Sequence, residues 1–152
     1  MFSTRSIAIG LLMGAAGSVS GEPSGWRVHP IQRDSRFEAA AVADFNRDGR
    51  LDVFCGAFWY EAPGWTPHPV RDVEERDGYY LDFGAVPLDF DGDGWVDIAS
   101  CSWHGRDVFW LRNPGAAGGR WTRFEIGSPG PIETLLQADL DGDGRPDLIP
   151  NV

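Results

Sequence analysis

An acidic nonapeptide occurs three times, and it constrains the fold more than any other feature of this chain. The copies are Asp44-Phe45-Asn46-Arg47-Asp48-Gly49-Arg50-Leu51-Asp52, Asp89-Phe90-Asp91-Gly92-Asp93-Gly94-Trp95-Val96-Asp97 and Asp139-Leu140-Asp141-Gly142-Asp143-Gly144-Arg145-Pro146-Asp147. Their starts lie 45 and 50 residues apart. Each copy places side-chain oxygens at positions 1, 3, 5 and 9 and a glycine at position 6. A recurrence of that length marks repeated supersecondary units rather than one irregular domain.

Two further motifs recur with the loops. Trp26-Arg27-Val28-His29-Pro30-Ile31 matches Trp65-Thr66-Pro67-His68-Pro69-Val70, with a weaker copy at Trp121–Ile126. Phe58-Trp59-Tyr60-Glu61-Ala62-Pro63-Gly64 matches Phe109-Trp110-Leu111-Arg112-Asn113-Pro114-Gly115. Segments this short, bounded by turn residues and lacking a helical period, read as strands. Within one unit these are Glu38–Phe45, Leu51–Ala57, Phe58–Glu61 and Trp65–Val70. Four short strands per unit form the blade of a β-propeller. Twenty glycines and eleven prolines among 152 residues fit that reading and exclude a long helical bundle. The charged stretch 71–80 reads as a solvated connection between units.

The acidic loops carry the chemistry. Calcium takes six to eight oxygens, often including a main-chain carbonyl. The expected ligands are Asp44, Asn46, Asp48 and Asp52 in the first loop, Asp89, Asp91, Asp93 and Asp97 in the second, and Asp139, Asp141, Asp143 and Asp147 in the third. The carbonyls at position 7, those of Arg50, Trp95 and Arg145, complete each set. The first half of the pattern is shared with EF-hands, which need a glutamate at position 12. Cys55, Ser100 and Pro150 stand there instead, so the acid at position 9 closes each loop within a β-hairpin.

This pattern, followed by a β-strand, resembles the FG-GAP or VCBS repeat of integrin-α-like β-propellers. The resemblance spans roughly residues 26–152, and the Trp-Tyr-Glu-x-Pro-Gly segment is similar to secreted bacterial proteins of that group. It implies Ca²⁺ in the hairpin between the first two strands of each blade, and seven blades in intact relatives. The expected fold is therefore all-β: an incomplete β-propeller of about two and a half four-stranded blades with calcium-loop hairpins. It would begin in the last strand of one blade, Trp26–Ile31, and leave open sheet edges through which copies could self-associate.

Residues 1–20 have the pattern of a secretory signal peptide: Arg5, an apolar run over Ser6–Ala16, then small residues. The mature propeller fragment is then 21–152, placed in the secreted, periplasmic or cell-surface compartment, with no stable membrane span after signal removal. The net charge of −10 argues against nucleic acid as a partner. Cys55 and Cys101 fall on opposite strand parities, which favours two buried free thiols.

The functional expectation is an exported calcium-binding repeat module for protein or glycan binding and scaffolding. Arg76–Tyr80 and Trp103–Arg106 depart from the repeat and are the candidate binding loops. His29 and His68 recur before proline and read as structural, as do the repeated tryptophans. The alternative is a polysaccharide-active enzyme of the lyase or dehydratase kind, or a propeller domain cut from one. No nucleophile, phosphate loop or zinc spacing marks catalytic residues.

Overall fold

The computed structural model describes residues 27–151. The signal-peptide reading of residues 1–20, and Trp26, lie outside the described residues. The chain divides into two units, Met1–Arg36 and Phe37–Val152. The described part of the first unit contains no strand, so the strand expected over Trp26–Ile31 is not formed at residues 27–31. A strand is defined by its ladder, and sequence likeness to Trp65–Val70 does not by itself supply one.

The second unit is all-β among its described residues. Its strands are β1 (Ala40–Ala43), β2 (Asp52–Cys55), β3 (Phe58–Glu61), β4 (Thr66–Pro69), β5 (Glu75–Arg76), β6 (Tyr79–Tyr80), β7 (Gly84–Leu88), β8 (Asp97–Cys101), β9 (Val108–Arg112), β10 (Thr122–Gly127), β11 (Thr134–Ala138) and β12 (Asp147–Asn151). One 3₁₀ turn, Gly115–Ala117, is the only helical element described. No helix among these residues is long and apolar enough to cross a membrane.

Four antiparallel sheets result: β1-β2-β3-β4, β7-β8-β9-β10, the hairpin β11-β12 and the small hairpin β5-β6. The order within each large sheet is sequential, as short turns between neighbouring antiparallel strands require. The three acidic loops join β1 to β2, β7 to β8 and β11 to β12 in one register. Ala43 pairs Asp52, Leu88 pairs Asp97 and Ala138 pairs Asp147. The repeated pattern therefore yields three hairpins closed in equivalent register.

Strand β7 lies beside both β1 and β11, so the first strands of successive sheets are neighbours. The sheets meet face to face through two apolar cores. Phe45, Phe54, Ile98, Phe109, Leu111 and Trp121 fill the first, between the two large sheets. Val86, Ala99, Cys101, Val108, Ile132 and Leu135 fill the second, between the middle sheet and β11-β12. Alternation along a strand sends neighbouring residues to opposite faces. Ile98 accordingly joins one core and Ala99 the other. Burying a side chain of the size of Phe54 or Phe109 contributes about 1.5–3 kcal/mol.

The two cysteines stand on opposite parities of their strands, as the sequence suggests. Both are free and buried. Cys55 Sγ lies 4.0 Å from the carbonyl of Phe37, and Cys101 Sγ lies 3.9 Å from that of Ile132. Burial pushes the Cys101 thiol up to about 12.

Residues 71–80 connect the two large sheets and are mostly exposed, as the sequence suggests, but the stretch is neither irregular nor wholly solvated. They contain the hairpin β5-β6, and Arg71 is buried. Its Nη2 lies 2.5 Å from Asp82 Oδ1, its Nε donates to the carbonyl of Gly56, and its guanidinium covers the Phe109 ring at 5.1 Å. Asp82 Oδ2 accepts the Ala39 amide. Burial pushes the Asp82 carboxyl upward and the Arg71 guanidinium downward, and their mutual attraction opposes both shifts. The pair thus ties the segment before β1 to the connector between the large sheets. Among the tryptophans, Trp121 packs in the core against Phe45 at 5.7 Å, whereas Trp65 lies half-buried in the turn between β3 and β4.

Candidate metal centre

Each acidic loop is built from its own carboxylates. The position 1 aspartate accepts two loop amides. Asp89 takes Gly92 on Oδ1 and Gly94 on Oδ2, and Asp139 takes Gly142 and Gly144 in the same way. Asp44 takes Asp48 and Gly49. The position 3 oxygen of Asn46, Asp91 or Asp141 accepts the position 5 amide at 3.0–3.2 Å. Asp48, Asp93 and Asp143 in turn accept the amides of Arg50, Trp95 and Arg145 at 2.8–2.9 Å. The position 6 glycines have φ of 84°, 87° and 87°, where a Cβ is strained. The first loop also holds Arg47 at φ 61°, where the other two have glycine.

Position 9 has a role the sequence did not reveal. Asp52 and Asp97 have no exposed surface. Asp52 Oδ2 accepts the Phe45 amide at 3.1 Å, and its Oδ1 accepts the Ala62 amide at 2.9 Å. Asp97 repeats this with Phe90 at 3.1 Å and Asn113 at 2.7 Å. One carboxylate therefore clamps the loop to the end of the third strand. Asp147 accepts the Leu140 amide at 2.9 Å but is exposed. Burial raises the pKa of Asp52, and pushes that of Asp97 to about 6, against the lowering effect of two amides on each.

Carboxylate oxygens converge in two of the loops. Asp89, Asp91 and Asp97 bring one oxygen each to within 4.8 Å of one another, and Asp139, Asp141 and Asp147 do the same. In the first loop Asn46 takes the position of the middle carboxylate. Asp48 and Asp93 lie beside arginines: Arg50 Nη1 is 3.2 Å from Asp48 and Arg112 Nη2 is 3.1 Å from Asp93. The Trp95 ring of the second loop lies under Arg47 of the first at 5.5 Å and abuts Gly115. The donor set is entirely oxygen, anionic and carried on short loops, which suits a hard divalent cation.

The candidate binding loops also meet. Tyr79 stacks on His104 at 5.1 Å, and Arg76 Nη1 donates to the His104 carbonyl. Tyr79 and Trp103 remain 50% and 43% exposed. Arg76 and Gly105 of the same loops line a polar cavity of about 340 Å³ together with Arg71, Ser102, Asp107 and Arg123. Arg123 pairs with Asp107 and Glu125 and also lies over the Phe109 ring, at 3.6 Å. His68 is structural in its contacts: it stacks on Trp59 at 4.2 Å and its Nε2 is 2.8 Å from Glu61.

Sequential antiparallel sheets, each opened by an acidic hairpin loop, define a β-rich repeat protein. Residues 89–149, which span the second and third acidic loops, match the FG-GAP-like repeat. No curated protein and no solved structure matches the chain.

Proposed function

We propose that this chain is an exported, calcium-stabilised β-propeller module that binds or scaffolds a protein or glycan. The observation carrying the reading is the convergence of carboxylates from positions 1, 3 and 9 in the second and third loops, within a hydrogen-bonded frame that all three loops share. Calcium in these loops would be held by Asp44, Asn46, Asp48 and Asp52, by Asp89, Asp91, Asp93 and Asp97, and by Asp139, Asp141, Asp143 and Asp147, with the position 7 carbonyls. When bound it would neutralise carboxylates that otherwise repel, and so couple ion uptake to folding. The loops supply no catalytic group in this reading; the ion is structural.

The propeller form is supported by how side chains bridge successive units. Ala41 and Phe45 of the first acidic hairpin pack in the core shared with the middle sheet, and Val86 and Phe90 of the second hairpin pack in the core shared with β11-β12. Their counterparts in the third hairpin, Leu136 and Leu140, are 62% and 69% exposed and offer the same face to a further unit. Association of copies through such faces would be detected by light scattering. The ligand surface is assigned to Tyr79, Trp103 and His104, where two connectors that break the repeat come together.

Titration of calcium into chelated protein tests the metal reading. Heat of binding and a rise in melting temperature are expected. Absence of both would sink it.

A further inference from the structure

The residue that ends the third strand differs between the two large sheets, and each reaches back to its own acidic loop. Glu61 ends β3 and Arg112 ends β9, at equivalent places in the Phe-Trp-x-x motif. Arg112 Nε lies 2.6 Å from Asp91 Oδ2, and its Nη2 donates to Asp93 Oδ2 at 3.1 Å. Glu61 Oε1 instead accepts from Asn46 Nδ2 at 3.4 Å. The position 3 residue and the strand end are thus matched: an acid faces an arginine, an amide faces a glutamate. In the third loop Asp141 and Asp143 form no ion pair among the described residues.

Resting on the calcium reading above, we propose that Arg112 is a tethered counterion that competes with calcium for the second loop. Asp91 belongs to the cluster Asp89, Asp91 and Asp97 that would receive the ion. A divalent cation entering there meets a guanidinium already bonded to that carboxylate and to Asp93. Like charges at such separations repel, and a carboxylate oxygen shared between two cations stabilises each less. The second and third loops carry the same four aspartates. Arg112 therefore makes the second loop fill after the third, and it keeps the second loop ordered before any ion arrives. Half exposure of the Arg112 side chain keeps the effect graded.

Trp95 makes the second loop separately observable, because the other loops have arginine at position 7. Terbium titrated into chelated protein, with excitation of indole, reports this loop through the emission component that Trp95→Phe abolishes. Arg112→Gln should lower the half-saturating terbium concentration for that component about tenfold, equivalent to about 1.4 kcal/mol. Arg112→Lys retains the charge and should stay close to the parent protein. Far-UV circular dichroism checks that each variant is folded. If calorimetry finds calcium uptake and Arg112→Gln leaves the Trp95-dependent midpoint unchanged, this inference alone is overturned. If calorimetry finds no uptake by parent or variant, the calcium reading itself falls.

Discussion

Asn113 and Phe45 belong to different sheets and are joined by one hydrogen bond: Asn113 Nδ2 donates to the Phe45 carbonyl at 2.9 Å. The same amide donates to the Val96 carbonyl at 3.0 Å, while the Asn113 backbone N–H holds Asp97. A single buried side chain thereby couples the first acidic loop to the second. In the first sheet Ala62 occupies the equivalent position and makes only the backbone bond.

Asn113→Ala should keep the Asp97 clamp and lose the tie between sheets. A buried carbonyl, that of Phe45, and a partly buried one, that of Val96, would be left without this donor, at a cost of about 1–3 kcal/mol. Urea denaturation gives the value. A loss below about 0.5 kcal/mol would show that the inter-sheet bond is incidental.

The buried Asp97 carboxyl makes metal-free stability depend on pH. Its pKa is about 6 in the folded chain, raised by burial from 3.8. The folded state thus holds the proton more tightly than the unfolded state. Its contribution to stability is fully present below about pH 3.8 and is lost as pH rises through about 6. Asp52 shifts in the same direction. Chelated protein should melt a few degrees lower at pH 7 than at pH 4.5, and Asp97→Asn should flatten that slope whatever its absolute stability. Calcium at pH 7 should restore the loss.

The Arg71–Asp82 pair should be costly to break and cheap to replace whole. Asp82→Ala leaves a buried guanidinium without its carboxylate, for a loss of about 3–5 kcal/mol. Arg71→Met combined with Asp82→Leu should recover most of it. A double variant as unstable as the single one would place the stabilisation in the remaining bonds of Arg71, to Gly56 and Ser100.

Gly84→Ala probes the approach of β7 to β11. A Cβ there would lie 2.8 Å from Cys101 Sγ and 3.2 Å from the Leu135 backbone nitrogen. Overpacking of this kind costs about 1–3 kcal/mol. Adding Cys101→Ala removes the sulfur and should recover part of the loss, with the Leu135 backbone accounting for the rest.

The three hairpins were legible because their turn chemistry is local. Oxygens at positions 1, 3 and 5 capture amides two to five residues away, and glycine at position 6 takes the required φ. The four strands of the first large sheet were legible in order, with Phe58–Glu61 matched to the residue, whereas the β5-β6 hairpin was not. The clamp made by Asp52 and Asp97 was not, because its partners are backbone amides 10 and 16 residues onward, and an amide carries no sequence signature. Arg71 was hidden for the opposite reason. Its charge suggested water, and only Asp82, Gly56 and Phe109 converging from separate elements make its burial tolerable.

Strands β2 and β8 are buried at every residue, whereas β12 is only partly covered. Such a molecule does not have one strength throughout. Amide hydrogens of β2 and β8 should exchange with deuterium only on global opening, while those of β11-β12 escape through local fraying. Each sheet borrows rigidity from the neighbour stacked on it, so durability here is a property of adjacency rather than of any single unit.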